Sequence, residues 1–275
     1  MSVNYEDFGY KEYWDGIQIG EYSGYKQNMA DYHRHTYYEI SLIVSGDVTV
    51  LTSAASDSGK EPRVLFFRPG TPHFVQCSKK ALYKRININF SPDSVFDAPE
   101  HKSMLEQVFT ENGRIVRLEP AECDSLVRVA LDIKKEKNEY RQKLLLLYFI
   151  SLATDRPNKY PGLPVPAYVT EVMAYINTNY GEKITAEGLA ERFFVGRTTL
   201  MTAFKKHTGT TVNDYIVRLR IKKSVSGLLE YKSVQTMAIE CGFGSSSNMI
   251  KTFRRYLDMT PVEYANKIRQ DMLIE

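Results

Sequence analysis

Two stretches of this chain repeat one pattern at a spacing of about 49 residues, too short a series for a solenoid and too regular for coincidence. Residues 184–210 read ITAEGLAERFFVGRTTLMTAFKKHTGT, and residues 233–256 read SVQTMAIECGFGSSSNMIKTFRRY. In the first, Thr185 is placed to cap a helix whose inward face carries Leu189, Ala190 and Phe193. Ala190 supplies the small side chain wanted where two helices cross closely. Phe194-Val195-Gly196 breaks that helix, with Gly196 tolerant of turn geometry. A second helix starts near Arg197 and buries Leu200, Ala203 and Phe204, leaving Arg197, Thr198, Met201, Thr202 and Lys205 outside. In the second stretch Val234, Met237, Ala238 and the turn Cys241-Gly242-Phe243 play the same parts. The helix after it buries Met249 and Phe253 and exposes Ser246, Ser247, Asn248, Ile250, Lys251 and Arg254. Phe204-Lys205-Lys206 answers Phe253-Arg254-Arg255. Two short helices joined by a tight turn, the second with a polar outer face, describe a helix-turn-helix, here present twice.

Residues 212–229 (VNDYIVRLRIKKSVSGLL) lie between the two units and read as one helix, ~27 Å long at 1.5 Å per residue. Successive major-groove faces of B-DNA are ~34 Å apart, so one rod of this length can set both outer helices against one side of a duplex. Charge points the same way, weakly. Residues 167–275 hold 15 of the 36 Lys and Arg but 11 of the 33 Asp and Glu, a balance of +4 against −1 for the rest.

These residues resemble the carboxy-terminal domain of the AraC/XylS family of transcription regulators, over about residues 168–269. The resemblance rests on Leu189-Ala190, Phe204-Lys205-Lys206, Gly209, Tyr215, Arg218-Leu219-Arg220, Leu228-Leu229, Ala238, Gly242-Phe243, Phe253 and Thr260-Pro261-Val262-Glu263-Tyr264. It implies two recognition helices reading adjacent major-groove segments of double-stranded DNA. The implied readers are Arg197, Thr198, Met201 and Thr202, then Ser246, Ser247, Asn248 and Lys251. Arg197 and Asn248 have the bidentate chemistry that suits guanine and adenine edges. Lys205, Lys206, Arg254 and Arg255 are placed for phosphates, which fix register without reading sequence. Met249 stands where an aromatic is commoner, and Asp258 where the family usually has Gly.

The earlier part of the chain has a different texture. EISLIVSG, DVTVLTS, RVLFFRPG and LYKRININF alternate with period two between Gly, Pro and Ser clusters, the pattern of antiparallel strands in a sandwich or barrel. His33, His35 and Glu39 form HxHxxxE, and His73 follows in RPGTPH. On a strand His33 and His35 point the same way. Over roughly residues 15–92 this resembles the cupin fold, a small double-sheet barrel. Its first motif is met well and its second in part, since Pro69-Gly70 and His73 lack the Asn expected after them.

Imidazole and carboxylate together suit Mn, Fe, Ni, Cu or Zn, so His33, His35, Glu39 and His73 are candidate metal ligands. The leading reading is instead an organic effector pocket without a cofactor, to which Trp14, Arg34, Tyr37, Tyr38 and Arg68 add polar and stacking contacts. A buried bonding network with no ligand is the third possibility.

Residues 120–154 carry two apolar stripes: Leu126, Val129, Ala130 and Ile133, then Leu144, Leu145, Tyr148, Phe149 and Leu152. They read as a helical hairpin, either covering the β-domain or offering surface to a second copy. Residues 155–166 (DRPNKYPGLPVP) hold four of the eleven prolines and read as an extended, stiff linker. The expected organisation is two-domain. A cupin-like all-β sensor spans 1–119, a hairpin 120–154 and a Pro-rich linker 155–166, and an all-α double helix-turn-helix domain spans 167–275.

No apolar run is long enough for a membrane span, the amino terminus is unlike a secretion signal, and Cys77, Cys123 and Cys241 show neither metal nor disulfide spacing. A cytoplasmic protein is expected. The resemblance implies a regulator, usually an activator, that responds to a small molecule such as a sugar and acts through promoter occupancy or RNA polymerase contact; a homodimer is the expectation only where the hairpin offers its surface to a second copy. The alternative is a metal-dependent cupin enzyme carried on a DNA-binding tail.

Overall fold

Alternation along the strands decides where each side chain goes, and it builds two cores from one sheet. The computed structural model describes residues 16–24, 32–78, 81–91, 99–155 and 162–274. Nine strands are described: β1 (Ile17–Gly24), β2 (Tyr38–Ser45), β3 (Val48–Thr52), β4 (Ala55–Gly59), β5 (Arg63–Phe67), β6 (His73–Cys77), β7 (Tyr83–Phe90), β8 (Arg114–Arg117) and β9 (Leu163–Pro164). They form two antiparallel sheets, ordered β1-β7-β2-β5-β8 and β6-β3-β4-β9.

On one face of the larger sheet, Ile40, Leu42, Val64, Phe66, Ile86, Ile88 and Phe90 meet three helices: α1 (Pro99–Val108), α2 (Pro120–Lys135) and α3 (Glu139–Thr154). The alternate residues Ile43, Leu65 and Phe67 face inward with Val48, Val50, Val75 and Cys77 of the smaller sheet. Side chains two apart share a face, so Glu39 and Ser41 project to the same side as Ile43, and His73 to the same side as Val75. One end of the barrel interior is therefore polar and the other apolar.

Helices α2 and α3 pair as the expected hairpin, but their buried residues complete the core against the sheet. Cys123, Leu126, Ala130 and Ile133 come from α2, and Leu146, Phe149, Ile150 and Ala153 from α3. Tyr140, Leu144, Tyr148 and Leu152 stay on the outside of α3. The linker reading needs a correction at its end. Leu163 and Pro164 form β9, paired with Ser56 and Ala55 at the edge of the smaller sheet. Proline is tolerated there because an edge strand has one side free of ladder bonds.

The chain divides into two compact units, with the boundary between Val165 and Pro166; Tyr32 belongs to the second unit although His33 belongs to the first. Within the second unit the Tyr32 N–H donates to the Tyr215 hydroxyl at 2.9 Å. That hydroxyl donates to Asn177 Oδ1 at 2.6 Å, and the Asn177 amide donates back to the Tyr32 carbonyl.

The second unit is helical: α4 (Ala167–Asn179), α5 (Ala186–Arg192), α6 (Arg197–Thr208), α7 (Val212–Leu229), α8 (Val234–Glu240), α9 (Ser246–Leu257) and α10 (Pro261–Ile274). Their starts follow from capping chemistry. Thr185, Thr211, Ser233 and Ser245 each accept a backbone N–H three residues on. Thr260 and Glu263 exchange side chain–backbone bonds as a capping box. No described helix is long and apolar enough to cross a membrane.

Candidate nucleic-acid interface and sensor site

Each helix-turn-helix is closed by the same backbone bond, Val195 N–H to the Ala190 carbonyl at 3.0 Å and Phe243 N–H to the Ala238 carbonyl at 2.9 Å. Val195 and Phe243 are thus equivalent, as are Phe204 and Phe253, and the second turn holds one extra residue, Gly244. Phe194 and Gly242 occupy the same left-handed position, at φ 53° and 73°. Only glycine suits the second turn, since a Cβ on Gly242 would lie 2.6 Å from the Gly181 carbonyl oxygen.

The first unit packs Leu189, Ala190, Leu200 and Phe204 against α4 and α7, with Phe204 edge-on to Tyr215. The second packs Met237, Ala238, Met249 and Phe253 against Ile221, Val225 and Ile268. Helix α7 is common to both. Arg220 on it donates to the carbonyls of Tyr180, Glu182 and Gly242, each at 2.7 Å, and so fixes the second turn. Arg218 donates to Asp214 at 2.8 Å, and the Tyr256 hydroxyl donates to the same carboxylate at 2.8 Å. Burial acts to raise the Asp214 pKa, but the Arg218 bond and charge, with the Tyr256 and Thr210 hydroxyls, outweigh it and hold the group below its usual range.

The sequence-expected contact residues fall on two outer faces. On α6, Arg197, Thr198, Thr202, Lys205 and Lys206 are exposed and Met201 is half-buried; on α9, Ser247, Asn248, Lys251 and Arg254 are exposed and Ser246 is half-buried. Arg197 pairs with Glu187 at 2.8 Å, both well exposed, so its guanidinium would have to exchange that weak surface partner for a base edge. Met201, Thr202, Lys205 and Lys206 also line an open depression of about 670 Å³ whose other wall is Thr211 and Val212. Residue patterning did not bring Thr211 and Val212 to notice. The signal was the Gly209 stop followed by a capping threonine. Two ammonium groups beside the start of an 18-residue helix suit an anion such as a backbone phosphate.

In the first unit, His33, His35, Glu39 and His73 converge, each offering a ligand atom within 4.8 Å of the others. Backbone pairing causes the convergence: His33 and His73 exchange N–H···O bonds at 3.0 and 2.9 Å, and Gly70 N–H donates to the His35 carbonyl. The His35 and His73 rings are wedged by stacking, on Tyr37 at 4.0 Å and on Phe67 at 3.8 Å. Glu39 Oε2 lies 2.7 Å from His35 Nε2 and 3.5 Å from His73 Nε2. Its Oε1 accepts from Asn87 at 3.2 Å, and Ser41 donates to Asn87 at 2.6 Å. Burial acts to raise the Glu39 pKa, yet the His35 and His73 hydrogen bonds and charges prevail and hold it well below the ordinary value.

The remaining pocket candidates are not all gathered here. Arg34 is exposed, Arg68 pairs with Glu111 at 2.9 Å, and Tyr38 stacks on Phe90 on the helix-covered face. Trp14 lies outside the described residues. Asn87 and Ser41 were missed, because nothing in ININF or EISLI marks a polar residue as inward until the register is known.

A barrel with a polar end, followed by paired helix-turn-helix units on one rod, defines a class of two-unit proteins. Residues 16–147 match the model of the AraC-like ligand binding domain and residues 189–267 that of a helix-turn-helix domain. Together these matches take in both units, and the chain belongs to the AraC family. It is similar to the HTH-type transcriptional activator RhaS of Salmonella schwarzengrund, 30% identical over 165 residues, and to RhaS of Salmonella typhimurium, 29% identical over the same length. Each match covers 59% of this chain and 56% of the relative, so the chain spans little more than half the length of these relatives. Among solved structures, ToxT from Vibrio cholerae is 14% identical, covering 91% of this chain and 97% of that one at a TM-score of 0.39. The DNA-binding domain of AdpA, solved with a target DNA, is 30% identical over 37% of this chain and 93% of its own, at a TM-score of 0.34.

Proposed function

We infer that the chain is a sequence-specific DNA-binding transcription regulator, an activator, whose barrel senses a small molecule and is not an enzyme. The observation that carries this reading is the single rod α7, shared by two helix-turn-helix cores, with a polar outer helix on each. Arg197, Thr198, Met201 and Thr202 of α6 and Ser246, Ser247, Asn248 and Lys251 of α9 read base edges, while Lys205, Lys206 and Arg254 sit over phosphates. The activator role rests on similarity to the RhaS proteins, and contact with RNA polymerase goes with it.

The effector belongs at the polar end of the barrel, around His33, His35, Tyr37, Glu39 and His73. Donors and acceptors of that density suit a polyhydroxylated molecule such as a sugar or sugar derivative. Tyr140, Leu144, Tyr148 and Leu152 form an apolar stripe at i, i+4 spacing on the outside of α3, and Tyr140 is 70% exposed. A matching stripe from a second copy would cover it, as in a homodimer.

Selection of bound sequences from a random duplex library with the full chain tests the DNA reading. Enrichment of two short motifs about one helical turn apart is the expected result. Binding that is salt-sensitive but enriches no motif would reduce the protein to a nonspecific polycation.

A further inference from the structure

The two outer helices stand on equivalent cores but present different chemistry. Leu200 answers Met249 and Phe204 answers Phe253, all of them buried, so Thr198, Met201 and Thr202 of α6 correspond to Ser247, Ile250 and Lys251 of α9. The α6 residues stand at i, i+3 and i+4 and are neighbours on one helix face. Thr198 and Thr202 are exposed and Met201 is half-buried, and each carries a methyl group. The patch continues into the open depression, where Val212 adds an apolar wall and Lys205 and Lys206 stand beside it.

Of the α6 readers only Arg197 has the donor fork for a bidentate base contact, and its Nε is held by Glu187 Oε1 at 2.8 Å. Threonine hydroxyls bond to any base edge and discriminate little. What remains on this face to tell one base pair from another is apolar contact, and the apolar feature of the major groove is the thymine methyl group. Helix α9 has the reverse character. The Lys251 ammonium takes the place of Thr202, and Ser246, Ser247 and Asn248 add hydroxyl and amide groups. Asn248 Nδ2 donates to the Phe243 carbonyl at 3.4 Å, which leaves its Oδ1 and second N–H for a base. Ile250, at the place of Met201, is half-buried.

We propose that α6 reads thymine methyl groups through Thr198, Met201 and Thr202, whereas α9 reads the hydrogen-bonding edges of purines through Asn248 and Lys251. The bound site is then asymmetric, with a thymine-containing motif under α6 and a motif fixed by adenine and guanine under α9. This rests on the assignment of both helices to the major groove and adds what each one discriminates. A thymine methyl covered by the α6 patch loses its apolar surface to water on the scale of one CH₂ group, which sets an affinity difference of about fourfold per methyl.

The test uses the full-length chain and a duplex selected from a random library, remade with deoxyuridine in place of thymidine in one motif at a time. Uracil keeps every hydrogen-bonding group of thymine and lacks only the methyl. Affinity should fall about fourfold per contacted methyl when uracil is placed in one motif, and little when it is placed in the other. That loss should disappear in Thr198→Ser/Met201→Ala/Thr202→Ser and persist in Asn248→Ala. It should also persist in Thr198→Val/Thr202→Val, which keeps the methyls and removes the hydroxyls. None of these side chains belongs to the buried core, so the variants keep the fold. In the motif that tolerates uracil, 7-deazapurines, which lack the N7 acceptor, should weaken binding instead. Affinity unchanged by uracil in either motif would overturn the proposal and leave the two-motif reading standing. A uracil loss that survives Thr198→Ser/Met201→Ala/Thr202→Ser overturns it as well, because the methyls are then read from elsewhere. A library that yields no motif removes the DNA reading and this proposal with it.

Discussion

At the residue scale, Gly242 and Phe194 do the same backbone task under different constraints. Both are left-handed, but Gly242 is pressed against Gly181 and Arg220, whereas Phe194 is 97% exposed. Gly242→Ala should cost about 2 kcal/mol or more by urea denaturation, combining left-handed strain with a backbone clash. Phe194→Gly should be neutral or stabilise by up to about 1 kcal/mol, since strain relief outweighs the added freedom of the unfolded chain. A large loss from Phe194→Gly would mean that the ring makes contacts this exposure does not account for. Asp214 gives the pH counterpart. Its folded pKa lies below the unfolded value of about 3.8, so its stabilisation is complete above that pH and is lost as pH falls toward the folded value. Asp214→Asn should destabilise at neutral pH by about 2–3 kcal/mol, through loss of a charge-assisted bond to buried Arg218. It should also flatten the acid limb of the stability profile. An unchanged acid limb would locate that limb at other carboxylates.

At the element scale, the strongest periodic segments were legible and the irregular ones were not. Helix α7 runs from Val212 to Leu229 as its sequence pattern indicates, and α6 begins at Arg197, because a capping threonine or a glycine turn stands before each. The amphipathic reading of α3 placed Leu144, Leu145, Tyr148, Phe149 and Leu152 on one stripe. The structure instead buries Leu146, Phe149, Ile150 and Ala153 and exposes Leu144, Tyr148 and Leu152. Seven apolar residues in a row, LLLLYFI, give a helix two apolar faces, and periodicity alone cannot say which one meets the sheet. Strand β9 was hidden because Leu163 and Pro164 lie in a proline-rich run whose extended form suits a linker and an edge strand equally. Arg63, fully buried and bonded to Asp57 at 2.6 Å, was hidden by its place at the head of the strand RVLFF. The outer stripe of α3 carries its own expectation. Leu144→Glu/Tyr148→Glu should leave the fold intact and shift sedimentation from dimer to monomer. Wild type that sediments as a monomer at tens of micromolar would rule out the stripe as a dimer contact.

At the scale of the whole molecule, the order of two units was readable from the change of periodicity at the proline-rich stretch, and the structure puts the division at Val165–Pro166. That Tyr32 belongs with the second unit was not readable, because its backbone, not its side-chain type, is what Tyr215 and Asn177 bind. The readers and holders proposed for the two outer faces separate by measurement. Lys205→Ala/Lys206→Ala should weaken binding to every duplex and reduce the salt slope by about 2, whereas Asn248→Ala should cost about 1–3 kcal/mol and relax preference at one base position. A specificity change from the lysine pair would reverse these assignments.

The rigid spacing of two recognition helices by α7 is the centre of this account, and the most direct measurement is affinity for a selected site against the same site with five base pairs inserted between its two motifs. Half a turn of added DNA puts the second motif on the far side of the duplex. Affinity should fall to that of a single motif, and a ten-base-pair insertion should not restore it, because a rod of ~27 Å cannot lengthen by a further turn. Affinity unchanged by the five-base-pair insertion would mean that the two helices do not read DNA together.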